Sequence, residues 1–542
     1  MRMQFLYNKT NLKMSKKFFL ALLAPLFVGG LVACNKQAIN DLNPEGQSTG
    51  DTYMSVTFST ANPNSTRAAE DKNFNSIGEF IGRDKLDNVN VYVINLPEET
   101  VDMMQFNNAQ VTENPDKKDD TNDFRTEAWK TTAGDKIVYV YANIKGTDIE
   151  KALNAATSKA AFEAANKQAF TLTENGAVKE TYAKFQGGKD IIAMNSTKGV
   201  EITVEAGIKK DAAEAGTDNC AKATVRRLVG QAAVTASADK FEIKEEGTDN
   251  VLVTLSDLKW DVMQFEQTTF LAPQPIDATA NPAQNPMLTQ FCKSPSFEFI
   301  TTATNFTATE AGKKYAYRAF NGEAVATFTR SNNANVDEKN KEDVTNIVKN
   351  PMKFITETTH QFGGKLKADD PTNTGDETGY RKGNTAYVIV STQITPQGKA
   401  LAEGQTYTAG NDLFYGVQDK KFYADEAAAK AANKSTSDLG EDRDNVIKYA
   451  KGICYYVAWL NPDVITDPVK SPVLRNNIYH VNINAIKKLG YSGNPFNPNG
   501  DDPKDPDDKT PDPKETLYPN ETWMSVEINV VNWGVHSYDQ EF

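Results

Sequence analysis

Short runs dominated by β-branched and aromatic side chains recur along most of this chain, with turn-forming residues between them. Examples are Val89-Asn-Val-Tyr-Val-Ile94, Lys136-Ile-Val-Tyr-Val-Tyr-Ala-Asn143, Ala223-Thr-Val-Arg-Arg-Leu-Val229, Val251-Leu-Val-Thr-Leu255, Thr385-Ala-Tyr-Val-Ile-Val-Ser-Thr392, Ile453-Cys-Tyr-Tyr-Val-Ala-Trp459 and Asn477-Ile-Tyr-His-Val-Asn-Ile483. Side chains of a strand point alternately to its two faces, so such runs place one apolar set on a core and the other set opposite it. The Ala-rich, evenly charged piece Asp148–Phe170 predicts one long helix in the first half, and Ala424–Asn433 reads as a short surface helix in the second. Strands without intervening crossover helices predict an all-β protein of antiparallel sandwiches with minor helices, not a βαβ fold.

At 542 residues the chain exceeds what one core usually organises, and its 39% hydrophobic content suffices for two. The charged stretch Lys240–Asn250 suggests the division, giving body domains over 68–240 and 241–493. Residues 494–520, "NPFNPNGDDPKDPDDKTPDPKETLYPN", contain seven prolines, which supply no ladder donors. As a polyproline-like arm at ~3.1 Å per residue it could reach up to ~80 Å. A calcium site built from its aspartates is disfavoured, because the spacing lacks the glycine and terminal glutamate of an EF-hand loop.

The first 34 residues have a different character. A basic region at Met14-Ser-Lys-Lys17, an apolar run from Phe18 to Val28 and Leu31-Val-Ala-Cys34 follow the layout of a secretory signal. The closing tetrapeptide resembles the bacterial lipobox, which implies lipidation of Cys34. Met14 is the better start, and residues 1–13 read as an upstream extension. The apolar run is too short to span a bilayer comfortably, so lipid would tether a water-exposed body. Five of the 59 Lys and Arg lie in residues 1–34, which hold no acid, so the rest of the chain sets 54 basic residues against 72 acidic ones, a balance of −18. That charge argues against nucleic acid or an anionic membrane surface as a direct partner.

One strand is written twice. Thr52-Tyr-Met-Ser-Val-Thr-Phe-Ser59 near the start is matched by Thr522-Trp-Met-Ser-Val-Glu-Ile-Asn529 near the end. In the first copy Met54, Val56 and Phe58 share a face; in the second Met524, Val526, Ile528 and Val530 share it, with Trp523 on the alternate side. β-rich chains do reuse similar strands, but three circumstances weigh against coincidence. The first copy follows Cys34 and precedes an exposed loop, Ala61-Asn-Pro-Asn-Ser-Thr-Arg-Ala-Ala69, with a single basic residue, Arg67. The second copy ends the chain. The proline-rich arm precedes it. Together they suggest a propeptide over 35–67 whose strand is a placeholder, cleavage between Arg67 and Ala68, and insertion of residues 521–542 of another copy into the vacated groove. An empty groove exposes unpaired ladder groups and apolar side chains, and head-to-tail filling of such grooves builds an open filament.

The chain resembles the Bacteroidales fimbrillin family of type V pilins, and within it the shaft subunits of short, or minor, fimbriae. The resemblance is carried by Tyr380-Arg-Lys-Gly-Asn-Thr-Ala-Tyr-Val388, Tyr456-Val-Ala-Trp-Leu-Asn-Pro462, Ser471-Pro-Val-Leu-Arg-Asn-Asn-Ile-Tyr-His480, Ile486-Lys-Lys-Leu-Gly490 and the terminal stretch from Trp523 to Tyr538. It implies two transthyretin-like sandwich domains and a lipoprotein precursor exported to the outer membrane. It also implies cleavage by an arginine-specific protease, donor-strand polymerisation, and a surface fimbrium serving adhesion and biofilm formation. The partners implied are identical subunits, anchor and tip subunits, and host or bacterial surface proteins. Cys34 matches the lipidated cysteine, Arg67 the residue before the cut, and positions within 522–542 the donor strand. The alternative from the residues alone is a monomeric surface lipoprotein that binds a host protein or glycan.

Nothing points to catalysis, a metal or a cofactor. His360, His480 and His536 lie far apart, and no nucleophile elbow, His-Glu-x-x-His or phosphate-binding glycine loop accompanies them. Cys220, Cys292 and Cys454 lack metal-site spacing and read as buried free thiols, the alternative being one disulfide with a leftover thiol. Arg226-Arg227 sits in a strand pattern that should shield it from proteolysis, and Tyr139, Tyr141, Tyr455 and Trp459 alternate as core or cross-strand residues.

Overall fold

The computed structural model describes residues 52–60, 83–113, 123–196, 198–275, 292–297, 313–360, 380–436, 442–460, 473–493 and 534–541. Cys34, Arg67, Ala68, Trp523, Met524, Val526, Ile528 and Val530 lie outside these residues, as does the proline-rich arm.

Strands dominate, as the alternating runs predict. The first sheet is built from β1 (Thr52–Thr60), β2 (Asn88–Asn95), β3 (Thr100–Asn107), β4 (Val111–Glu113), β5 (Asp123–Thr126), β6 (Trp129–Thr131), β7 (Gly134–Ala142), β8 (Met194–Ser196), β9 (Val200–Val204) and β10 (Cys220–Arg227). Its order is β3-β2-β7-β8-β10-β1-β5-β4, with β9 alongside β7 and β6 alongside β1. Met54, Val56 and Phe58 of β1 share one core with Val89, Val91 and Val93 of β2 and Val138 and Val140 of β7. Strands far apart in the sheet order therefore enclose a common interior.

The other face of β2 and β7 carries Tyr92, Ile94, Tyr139 and Tyr141, and helices cover it. The single helix predicted over 148–170 forms as two, α1 (Asp148–Asn154) and α2 (Lys159–Asn166). Ser158 explains the break: its side chain caps Ala161 N in an extended backbone conformation, so a new helix starts there. Phe162 of α2 packs tilted against Tyr139 at 4.9 Å and Tyr92 at 5.1 Å between centroids. This aromatic core extends to Val344 and Ile347 of a helix at Val336–Ile347 and to Ile478, and so joins the two halves of the molecule.

The chain leaves the first sheet across Leu228 into β11 (Val229–Ala236), which is central to a second sheet. A third sheet contains β12 (Phe241–Lys244), β13 (Val251–Met263), β14 (Tyr387–Pro396) and β15 (Ile453–Trp459) in that order. The second and third sheets enclose the largest core, which includes Trp260, Val388, Tyr456 and Val481. Beside β11 lies β16 (Asn477–Ala485), and on the far side of β16 lies β17 (Gly534–Glu541). Most neighbours run antiparallel, but β1–β10, β11–β16, β16–β17 and the pairing of β11 with a short strand at Ala326–Thr327 are parallel. These pairs join segments distant in sequence, where no hairpin dictates direction.

Arg226-Arg227 lies in β10 as expected. Arg227 is buried, donates to both Asp84 oxygens and reaches Asn476 Oδ1 at 2.6 Å.

Candidate functional site

β1 does not lie at a sheet edge. On one side Ser55–Thr60 pair in parallel with Cys220–Val225 of β10; on the other, Thr52–Met54 pair with β6 and Thr57–Ser59 with β5. Met54 and Val56 have no exposed surface, and Phe58 stacks on Phe124 with centroids 5.5 Å apart. The three residues that alternation places on one face of β1 thus all enter the first core.

The opposite face of β1 departs from a simple alternation of buried and open positions, because α3 (Lys210–Ala215) and the loop before it cover part of it. Ser55 is fully buried, and its hydroxyl donates to the Ala213 carbonyl at 2.6 Å. Thr52, also fully buried, donates to the Glu205 carbonyl at 2.5 Å and accepts from Ile208 N at 3.2 Å and Asn219 Nδ2 at 3.1 Å. The Tyr53 carbonyl accepts from the same Asn219 amide at 3.0 Å. These contacts fix the strand lengthwise, since sliding it would leave buried polar groups unpaired.

Thr57 is only half-buried. Its hydroxyl lies 3.3 Å from Cys220 Sγ and accepts from Arg125 Nε at 3.4 Å. Arg125 also donates to the Glu214 carbonyl at 2.9 Å. At the mouth of the groove Lys210 pairs with Glu214 at 3.3 Å, and that hydrogen bond raises the lysine pKa.

This geometry gives the duplication a physical meaning. The positions where β1 makes specific buried hydrogen bonds, Thr52 and Ser55, are the ones the second copy keeps as Thr522 and Ser525. Met54 and Val56 are also kept, whereas half-buried Tyr53 and Thr57 become Trp523 and Glu527. The polar requirement was not recognised from sequence. Its signal was present in the identity of Thr and Ser in both copies, but strand periodicity alone cannot say that helix α3 covers them.

Polar groups also concentrate in the second half. Glu266 is fully buried, accepting from the Ser294 hydroxyl and from Ser296 N at 3.0 Å; burial pushes its pKa up to about 8. Nearby, buried Glu357 pairs with Arg475 at 3.2 Å. His360 Nε2 donates to the Asn384 carbonyl at 2.8 Å, and burial lowers its pKa to about 4. His480 lies 2.7 Å from Thr235 Oγ1, and burial holds it well below the usual histidine value. Both histidines are sealed in cores, so neither can reach a substrate. His536 falls in β17, on the edge of the second sheet. Cys454 is buried beside Thr392 at 3.2 Å, while Cys220 is partly exposed next to β1.

β1 is thus buried mid-sheet, and its sequence pattern recurs at residues 522–529. Comparison with known proteins gives the family. Residues 447–539 match the model described as major fimbrial subunit protein type IV, Fimbrillin, C-terminal. The chain is 33% identical over 559 aligned positions to the minor fimbrium subunit Mfa1 of Porphyromonas gingivalis, covering 98% of this chain and 100% of that protein. This chain therefore belongs to the fimbrillin family of fimbrial subunits. Among solved structures, a putative cell adhesion protein from Parabacteroides distasonis aligns with 91% of this chain and 99% of its own, at 11% identity and a TM-score of 0.39. The tip fimbrial protein Mfa3 from Porphyromonas gingivalis aligns with 66% of this chain and 84% of its own, at 11% identity and a TM-score of 0.26. The relatives are structural subunits, and this chain is a structural protein of a cell-surface fimbrium, not an enzyme.

Proposed function

We propose that this chain is the shaft subunit of a fimbrium, exported as a lipoprotein through Cys34, cleaved after Arg67 and polymerised by donor-strand exchange. The observation that carries the reading is the match between the β1 groove and the C-terminal copy. Thr522, Met524, Ser525 and Val526 repeat the four residues that are fully buried in β1, and Ile528 takes the place of Phe58. Glu527 would replace Thr57 beside the guanidinium of Arg125, converting a neutral hydrogen bond into a charge-assisted one. Trp523 and Val530 would occupy the places of Tyr53 and Thr60. In this scheme an arginine-specific protease triggers assembly, anchor and tip subunits bound the filament, and host or bacterial surface proteins are its targets.

The test is substitution of Arg67 by Ala in the full chain, with filaments scored by electron microscopy and the surface-exposed protein sequenced from its N-terminus. The expected wild-type start is Ala68, and Arg67→Ala should leave unpolymerised precursor. Filaments of ordinary length from Arg67→Ala overturn the cleavage step.

A second reading draws on β17, which pairs in parallel with β16 of its own subunit from Asn477↔Gly534 onward. In that reading the terminal segment closes its own sheet, and the molecule is a monomeric surface lipoprotein. Deleting residues 522–542 separates the two: a folded, non-polymerising body supports strand donation, whereas loss of the second sheet supports self-closure.

A further inference from the structure

At one end of the first core an amine, a carboxamide and a carboxylate converge on adjacent strands. Asn95 of β2 is paired with Lys136 of β7 on one side and with Thr100 of β3 on the other. Asp102 of β3 is two positions further along and on the same face as Asn95. Lys136 is only 2% exposed, unusual for a lysine. Its Nζ donates to Asn95 Oδ1 at 2.5 Å and to Thr132 Oγ1 at 3.0 Å. Asn95 Nδ2 donates to Asp102 Oδ2 at 2.8 Å and to Thr100 Oγ1 at 3.3 Å. The carboxamide is thus held between a buried amine at its oxygen and a carboxylate at its nitrogen.

From this arrangement we infer that Lys136 and Asn95 form an intramolecular isopeptide bond, with Asp102 as the proton-transfer group. The backbone ladder fixes both reacting side chains at contact distance, so the step needs no further ordering of the chain. Burial lowers the lysine pKa, opposed by the charges of Asp102 and Glu98, which eases loss of the proton that blocks attack. The neutral Nζ adds to Asn95 Cγ and a C–N bond forms. The bond from Cγ to Nδ2 then breaks as Asp102 passes to Nδ2 a proton taken from the adding Nζ, and Nδ2 departs as ammonia, which takes up the proton that the lysine first lost. In sum, one lysine ammonium and one carboxamide give one secondary amide and one ammonium ion, without oxidant, reductant or cofactor.

The bond would tie β2 to β7, and both strands contribute side chains to the core that holds β1. A covalent tie there would hold the opposing side of that core in register when β1 is removed. The inference stands apart from the donor-strand reading, because it concerns only the folded first sheet.

The test is intact-mass measurement of the purified, denatured full chain, followed by peptide mapping. The expected mass is one ammonia below that of the sequence, and digestion should yield a branched peptide joining the segments that carry Asn95 and Lys136. Lys136→Arg and Asn95→Ala should each abolish that peptide. Asp102→Ala should slow its formation by on the order of a hundredfold or more, with circular dichroism confirming that the sheet still folds. Folded wild-type chain at full sequence mass, with both linear peptides recovered, overturns the inference. So does an ammonia loss that persists in Lys136→Arg. A branched peptide formed at the wild-type rate in Asp102→Ala overturns the role given to Asp102.

Discussion

Replacing Phe58 with Ala asks how much of the first sheet depends on a strand that the proposed maturation discards. Phe58 is 1% exposed, stacks on Phe124 at an interplanar angle of 28°, and shares a core with Val91, Val140 and Val225. Truncating a buried Phe to Ala costs about 3–5 kcal/mol, and roughly 0.5–1.5 kcal/mol of that would come from the aromatic pair. At about 1.4 kcal/mol per tenfold, amides that exchange through opening of this sheet should exchange roughly 100- to 4,000-fold faster. Hydrogen exchange read by mass spectrometry on peptides from β1 and β10 measures this directly. Peptides from β14 and β15, which line a different core, serve as the internal control. Ile528→Ala should leave exchange in β1 and β10 of the unassembled precursor unchanged, because there the groove is already filled. An acceleration in β10 of less than about fivefold, roughly 1 kcal/mol, would refute the claim that β1 is an integral member of the sheet.

Ser55→Ala removes the buried hydrogen bond to the Ala213 carbonyl and should destabilise the precursor by about 1–3 kcal/mol in the same exchange assay; an unchanged rate in β1 would show that the hydroxyl is dispensable. Arg475→Ala leaves Glu357 buried without its ion pair, and a loss of about 3–5 kcal/mol in denaturant unfolding of the second half is expected. Burial raises the Glu266 pKa from the ordinary 4.5 to about 8, so the folded state holds its proton where the unfolded state has released it. Its contribution therefore falls as pH rises through that window, at about 1.4 kcal/mol per pH unit. His360 has the opposite sign: its folded pKa of about 4 lies below 6.5, so its contribution is lost as pH falls from 6.5 toward 4. Between pH 6.5 and 8 only the Glu266 effect operates of these two, about 2 kcal/mol in all. Unfolding titrations of Glu266→Gln should lack that decline relative to wild type, and parallel pH profiles for the two proteins would refute it.

Much of the fold was legible because strand periodicity is a local property. β15 spans the predicted Ile453–Trp459, and the predicted runs at 89–94, 251–255, 385–392 and 477–483 all lie in or overlap observed strands. Met54, Val56 and Phe58 were assigned to a core face from alternation alone, and they are buried. The run 223–229 was less well read, because β10 ends at Arg227 and β11 begins at Val229, in a different sheet. An alternating pattern continues across such a crossing, so the point at which the chain changes sheets leaves no local trace.

The sequence by itself determined which residues form strands, which of their faces are apolar, and that one strand pattern is present twice. It could do so because alternation, turn residues and capping side chains act over a few neighbouring positions. Tertiary structure alone decided which strands flank β1, that α3 buries Ser55, and that Asn219 holds Thr52 and Tyr53 in register. The contacts of Thr52, Tyr53 and Ser55 with Glu205, Ala213 and Asn219 join residues more than 150 positions apart. Pairing energy depends on which distant edge arrives, and no local pattern encodes that.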